Sequence, residues 1–343
     1  MFSGPVFQIH SSFRIPISVF QLELQPFKAI KFPSSIKMRI FVTGAAGFIG
    51  RVVVQELLNN GHDVLGLTHN DASAEAITKA GAEPHRGSLE DIESLKSGAR
   101  VADGVIHLAF IHDFTDFARV TAVDRAAIEA MGEVMAGTGK PLVIASGTLA
   151  APKGKLATED TEPERGTIFS DRARAADLVY TMSKEKQVHG SVVRLPPSVH
   201  GAEDKGMIPW MMDLARQNGF VTYVDDGSAR WPTVHRLDAA VLLRLAVEKG
   251  VAGATYNAVA EQGVPIKDIA TVIGKHLQLP VEGKSLSEAF GALGFLARMV
   301  SLDNPTSSEK TQRELGWHPT QPELLADMEA NYFSQGVKSR YSA

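Results

Sequence analysis

A doubly wound parallel α/β sheet with a smaller mixed C-terminal lobe is the fold this sequence predicts, on three observations. Residues 38–42, MRIFV, make a short apolar run that ends in the turn signal Thr43-Gly44. Gly44, Gly47 and Gly50 then fall three apart and open an amphipathic helix. A second apolar strand, Val64–Leu67, follows at the distance expected of a strand–helix–strand unit.

The chain has 343 residues, 44% hydrophobic and 22% charged, with a net charge of -4. That length supports a large core. The acidic balance and the lack of a dense basic cluster speak against nucleic acid. No apolar run is long enough to span a bilayer. With no cysteine, disulfides, thiolate nucleophiles and thiolate metal sites are excluded, and a reducing, cytoplasmic setting is the expectation.

Residues 1–37 differ from the rest. They are rich in Phe and Ser, carry Arg14, Lys28, Lys31 and Lys37 against Glu23 alone, and are interrupted by Pro5, Pro16, Pro26 and Pro33. Two readings stand: an extension with no structural role, or a transit peptide that implies a mitochondrial location. The expected organisation is an extension over 1–37 and a dinucleotide-binding domain over 38–195. A smaller lobe, interleaved with late sheet elements, follows over 196–335, with a tail over 336–343.

Each glycine of the turn has a physical reason. Gly44 allows the tight turn, Gly47 lets backbone approach a pyrophosphate, and Gly50 lets the helix pack closely on the strand. Phosphates then sit on the free N–H groups of the helix start, at Phe48 and Ile49, where the helix dipole favours anions.

The three-and-three spacing in TGAAGFIG resembles the short-chain dehydrogenase/reductase superfamily, in its extended, epimerase/dehydratase-like branch. The resemblance runs along most of the chain from residue 38 and implies a Rossmann fold. DGVIHLAF (103–110) is similar to the fourth strand, which implies cofactor contacts at Leu108 and Ala109. PLVIASGT (141–148) is similar to the fifth, ending where the family carries its catalytic Ser or Thr. SVVRLPPSVHG (191–201) is similar to the sixth, running into the substrate lobe. RWPTVHRLDAAVLLRLAVE (230–248) and SSEKTQRELGWHPTQ (307–321) resemble the C-terminal lobe.

In such folds an acid at the end of the second strand holds a ribose 2′-OH and selects NAD. Here the strand ends in Leu67-Thr68-His69-Asn70, and Asp71 comes late. Thr68, His69 and Asn70 accommodate a 2′-phosphate, and Arg51 adds charge. NADP is therefore the expected cofactor, with NAD the alternative. After the third strand the family has an Asp-Leu pair near the adenine; this chain has Ser88-Leu89, and Asp91 is expected to cap the next helix.

Tyr180 and Lys184 have the Tyr-x-x-x-Lys spacing of the superfamily's catalytic pair. There, Lys lowers the phenol pKa from about 10 and holds the nicotinamide ribose, so both must sit at the ligand edge of the sheet. From that edge the helix must cross a strand of about 20 Å, or roughly 14 residues at about 1.5 Å each. From Tyr180 the helix reaches only about Val188 before His189-Gly190, roughly 12 Å. Counting back from Arg194, the family's Lys position falls near Arg172 and its Tyr position near Ile168. Tyr180 and Lys184 are then ordinary helix residues, and the candidate catalytic set is Ser146, Thr148 and Arg172. Ser146 before Gly147 reads equally as a turn former.

Elsewhere His107 reads as a core histidine. His200, His235 and Asp238 are candidates to line the cleft between lobes, though without metal-site spacing. Trp210, Met211, Met212 and Trp231 give that cleft an apolar wall or fill the small lobe's core.

The resemblance implies an NADP-linked oxidoreductase acting on a carbonyl or alcohol of a small organic substrate. The alternatives are a non-catalytic NADPH-binding sensor or interaction protein, and a sugar-nucleotide epimerase/dehydratase. A small molecule is the expected partner, and a homodimer is compatible with the chain.

Overall fold

Residue Ile40 points to one face of a central sheet and Phe41 to the other, so both faces of the first strand are buried. That double burial is what an apolar run of this kind requires in a parallel sheet. The computed structural model describes Met1 and residues 37–113, 116–167, 169–333 and 339–341. The extension read over 1–37, apart from its ends, and the position near Ile168 lie outside the described residues.

The strands in chain order begin with β1 (Arg39–Thr43), β2 (Asp63–Thr68), β3 (Glu83–Arg86) and β4 (Gly104–His107). β5 (Pro141–Gly147), β6 (His189–Leu195), β7 (Ser198–His200) and β8 (Val221–Val224) follow, then β9 (Arg230–His235), β10 (Thr255–Asn257), β11 (Glu261–Pro265) and β12 (Val281–Lys284). Seven of them form one sheet in the order β10-β6-β5-β4-β1-β2-β3. All its pairs are parallel. Parallel neighbours need long crossovers, and helices supply them: α1 (Phe48–Asn59), α2 (Asp71–Lys79), α3 (Ile92–Val101), α4 (Phe117–Met135) and α5 (Ser170–Glu185). The order reverses about β1 and β4, and an α/β sheet of this kind opens a ligand crevice at such a point.

One face packs Val53, Val54 and Leu57 of α1 with Leu242 and Leu243. The other packs α3, α4 and α5 through Leu95, Ile128, Met131 and Val179. Beyond Leu195 the chain builds a smaller lobe from α6 (Met207–Asn218), α7 (Arg236–Lys249), α8 (Ile266–Leu277) and two small sheets, β11-β9-β7 and β12-β8. α7 and the edge strand β10 return to the large sheet.

Met211, Met212 and Trp231 fill the small lobe's core, and Trp231 donates its ring N–H to Met299 O at 3.1 Å. Of the two readings of this group, the core one holds for these three. His200, His235 and Asp238 do not line the cleft. His200 Nδ1 bonds Asp327 at 2.8 Å and its ring meets that of His235. Asp238 accepts from the backbone N–H groups of Thr320 and Gln321.

Candidate functional site

Gly44 sits at φ 71°, a conformation that favours glycine, and a Cβ on it would lie 2.9 Å from Ala109 N. A Cβ on Gly50 would lie 1.9 Å from Gly44 O, so α1 reaches its strand only because that atom is missing. Gly47 is the N-cap of α1, with no side-chain cap and no acid in the first turn. Its own missing Cβ faces only Gly44 O, at 3.1 Å. The start of α1 is thus an uncapped, positively polarised end that opens on a groove.

That groove, about 650 Å³, is lined by the residues the sequence assigned to the cofactor from Gly44 to Ala109, with the exception of Arg51 and Asn70. Thr68 and His69 stand at one end and Ser88 and Leu89 beside them. The residues fit a dinucleotide: backbone at the turn, polar side chains at the end of β2, apolar residues at the end of β4.

Three details correct the sequence reading. Arg51 pairs with Glu203 at 2.9 Å and does not line the groove. Asn70 caps α2, accepting from Ser73 N at 2.8 Å. The Thr68 hydroxyl donates to Asn70 O at 3.0 Å. His69, whose Nε2 meets Asn70 Nδ2 at 3.0 Å, and Thr68 are the residues at the end of β2 that line the groove. Asp91 caps α3, as expected of it.

A second cavity of about 280 Å³ adjoins the groove, sharing Phe48, Leu108, Phe110 and His112 with it. Ser146, Thr148 and Arg172 all line it. Leu149, Phe169, Pro196, Met207 and Met299 make its walls largely apolar. The two hydroxyls differ. Thr148 donates to Asn304 Oδ1 at 2.7 Å and its carbonyl accepts back from Asn304. No hydrogen bond joins the Ser146 hydroxyl to another described residue. Ser146 is therefore the hydroxyl available to a bound molecule.

Arg172, in the first turns of α5, is held on three sides. Nη1 donates to Asp124 at 2.8 Å, Nη2 to Ala145 O at 3.0 Å, and the guanidinium lies 4.1 Å from the centre of the Phe110 ring. The chain of contacts continues to the glycine turn. Asp124 meets His107 Nε2 at 3.3 Å, and His107 Nδ1 meets the Thr43 hydroxyl at 2.8 Å. Thr43 Oγ1 accepts from Leu108 N and Ala109 N, so its one proton points to Nδ1 and the His107 proton is on Nε2. His107 is a satisfied core histidine. Burial opposes the Asp124 charge, but the Arg172 charge and the His107 contact hold its pKa below the usual carboxylate range.

Tyr180 lies in the second half of α5, with its hydroxyl on Thr255 Oγ1. It lines a third cavity, bounded by Arg194 and Glu159, which shares Ser146, Gly147, Thr148 and Ala150 with the apolar one. Neither the groove nor the adjoining cavity includes it. The helix ends at Glu185, before the expected Val188, and Gln187 turns left-handed at φ 52°.

Several site residues had no signal in the sequence. His112 lines both cavities, and burial, with the nearby Arg340 charge, lowers its pKa to about 4. Asp204 lines the apolar cavity and accepts from Tyr332 Oη at 2.8 Å and Gly206 N at 2.7 Å, yet burial pushes its pKa up to about 6. Residues 339–341, read only as tail, reach the same cavity through Arg340 and Tyr341. Among the described residues no cluster of metal-ligating side chains occurs, and no helix is long and apolar enough to cross a membrane.

Comparison with known proteins agrees with the fold. An uncharacterized protein of Schizosaccharomyces pombe is 45% identical over 297 residues, covering 86% of this chain and 100% of the relative. The 4-hydroxy-2-methyl-3-oxo-4-farnesyl-3,4-dihydroquinoline-1-oxide ketoreductase of Stigmatella aurantiaca is 27% identical, covering 76% of this chain and 77% of its own. The crystal structure of UDP-glucose 4-epimerase from Thermotoga maritima shares the fold with a TM-score of 0.68 at 20% identity, over 86% and 98% of the two chains. Residues 40–259 match the NAD dependent epimerase/dehydratase family, and to that family the chain belongs.

Proposed function

We propose that the protein is an NADPH-linked oxidoreductase acting on the carbonyl or alcohol of a small, largely apolar organic molecule. The observation that carries this reading is the junction of groove and cavity, with the free Ser146 hydroxyl beside it at the end of β5. A bound nicotinamide supplies the hydride. The chain's own part is to hold the dinucleotide on the start of α1, wall the cavity with Leu149, Phe169 and Met299, and donate a hydrogen bond from the Ser146 hydroxyl to the substrate oxygen, whose proton comes from solvent. Arg172 stabilises negative charge and positions the wall through Phe110, but a guanidinium does not give up its proton near neutrality. The absence of an acid at the end of β2 favours NADPH. A distant relative named as a ketoreductase supports the reaction class.

A second reading, a protein that binds NADPH without turnover, is favoured by one observation. Arg172, at the position where the family's Lys is expected, is tied to Asp124. The experiment that separates the two is NADPH oxidation with a panel of apolar ketones and aldehydes. Turnover supports the enzyme. Binding of NADPH by calorimetry with no turnover across the panel supports the second reading.

A further inference from the structure

We propose that Arg340 is a cofactor-binding residue that, together with the start of α1, holds the dinucleotide pyrophosphate. This rests on the reading of the groove as a dinucleotide site. Arg340 lines both the groove and the adjoining cavity, where their linings meet at Phe48 and His112. Its backbone N–H and Nε both point to Lys205 O, at 3.0 and 3.4 Å. Among the described residues no carboxylate lies within ion-pair distance of it; its guanidinium lies 5.9 Å from the centre of the Tyr341 ring, and neither Nη donates to a described residue.

The residue is held in place rather than trailing. Ser339 N donates to Asp213 at 2.8 Å, and the Tyr341 ring packs 4.9 Å from that of Trp210. The uncapped start of α1, with no acid in its first turn, lines the same groove. Two positive features therefore line one groove, and of the acids near it Glu90 lines the groove while Asp204 lines the adjoining cavity, neither within ion-pair distance of Arg340. An anion belongs there, and a guanidinium is suited to paired phosphate oxygens. His112, beside Arg340, has its pKa lowered to about 4, first by burial and then by that charge, so it stays neutral and adds nothing to the anion's field near neutral pH.

The test is calorimetry on the full chain with Arg340→Gln and Arg340→Lys. The probes are NADPH, 2′-phospho-ADP-ribose and adenosine 2′-monophosphate. Expected for Arg340→Gln is a Kd about tenfold or more higher for NADPH and 2′-phospho-ADP-ribose. The Kd for adenosine 2′-monophosphate, which has no pyrophosphate, should not change. Arg340→Lys should recover part of the loss, and the Tm should match the parent. A parent-like Kd for NADPH in Arg340→Gln overturns the assignment, as does an equal loss for all three probes. If the parent itself binds none of them, the dinucleotide reading of the groove fails as well.

Discussion

Arg172 and Asp124 form an ion pair at 2.8 Å that joins the first turns of α5 to α4 directly behind the cavity. Asp124 is almost fully enclosed, with a side-chain exposure of 3%, and its second oxygen faces His107. Removing one partner of such a pair leaves the other charged, desolvated and alone. Asp124→Ala should lower the unfolding free energy by about 3 kcal/mol in urea titration. Because the folded pKa of Asp124 is lowered, the pair's contribution is complete above the unfolded carboxylate value. It is lost as pH falls through the lower folded one. The stability difference between parent and variant should therefore shrink in acid; a constant difference down to low pH would count against the pair.

Gly47 offers a cleaner separation of binding from folding. Its φ of -74° and ψ of 174° suit any residue, and Asp is a good N-cap. Gly47→Asp should keep the Tm within a few degrees yet abolish dinucleotide binding, since a carboxylate at the head of α1 repels a pyrophosphate. Unchanged NADPH affinity in the folded variant would remove the cofactor from the site.

The contrast between these two cases shows what the sequence made legible. The glycine turn could be read because each of its backbone demands excludes other residue types: positive φ at Gly44 and close approach at Gly50. The order of the seven strands follows from the same unit repeated. Asp124, His112 and Arg340 carried no such mark. Their roles come from contacts made across long stretches of chain, as Arg172 with Asp124 or Arg340 with Lys205, and any exposed helix or tail carries similar residues. Arg51 misled for the same reason. Its place on α1 was correct, but its partner, Glu203, belongs to the other lobe.

Cofactor choice turns on the end of β2. With Asn70 used as a helix cap and Thr68 bonded to Asn70 O, His69 is the side chain expected to decide between a 2′-OH and a 2′-phosphate. NADPH should bind more tightly than NADH, and His69→Asp should reverse the order, because a carboxylate accepts from a 2′-OH and repels a 2′-phosphate. Competition calorimetry with both cofactors checks it, and equal or better binding of NADH by the parent counts against it.

Asp204 sets a second pH dependence, of opposite sign to that of Asp124. Burial raises its pKa from 3.8 to about 6, so the folded protein holds a proton there that the unfolded chain has released. Its contribution is most favourable below the unfolded value and declines as pH rises through the window to about 6. The decline amounts to at most about 3 kcal/mol. Asp204→Asn should remove that slope, measured as the change in urea stability from pH 4 to pH 7. An identical slope in parent and variant would place the carboxyl's ordinary pKa back in the folded state.

Tyr180→Phe and Lys184→Met should leave NADPH-dependent turnover nearly unchanged, while Ser146→Ala and Arg172→Ala should lower it. The reason is position along α5. Arg172 stands at the ligand end of the helix and lines the cavity that adjoins the groove. Tyr180 is more than two turns further on, bonded to Thr255, and lines the third cavity, on the other side of the Ser146–Thr148 turn from Arg172 and outside the groove. Loss of the Tyr180 hydroxyl should cost stability of about 1 kcal/mol and little else. Loss of the Ser146 hydroxyl, which bonds no other described residue, should reduce kcat by about a hundredfold, the scale of a single donor to a developing oxyanion. Steady-state kinetics on the four variants distinguish the cases, and a hundredfold fall in kcat with Tyr180→Phe alone would restore the Tyr-Lys pair as the catalytic one.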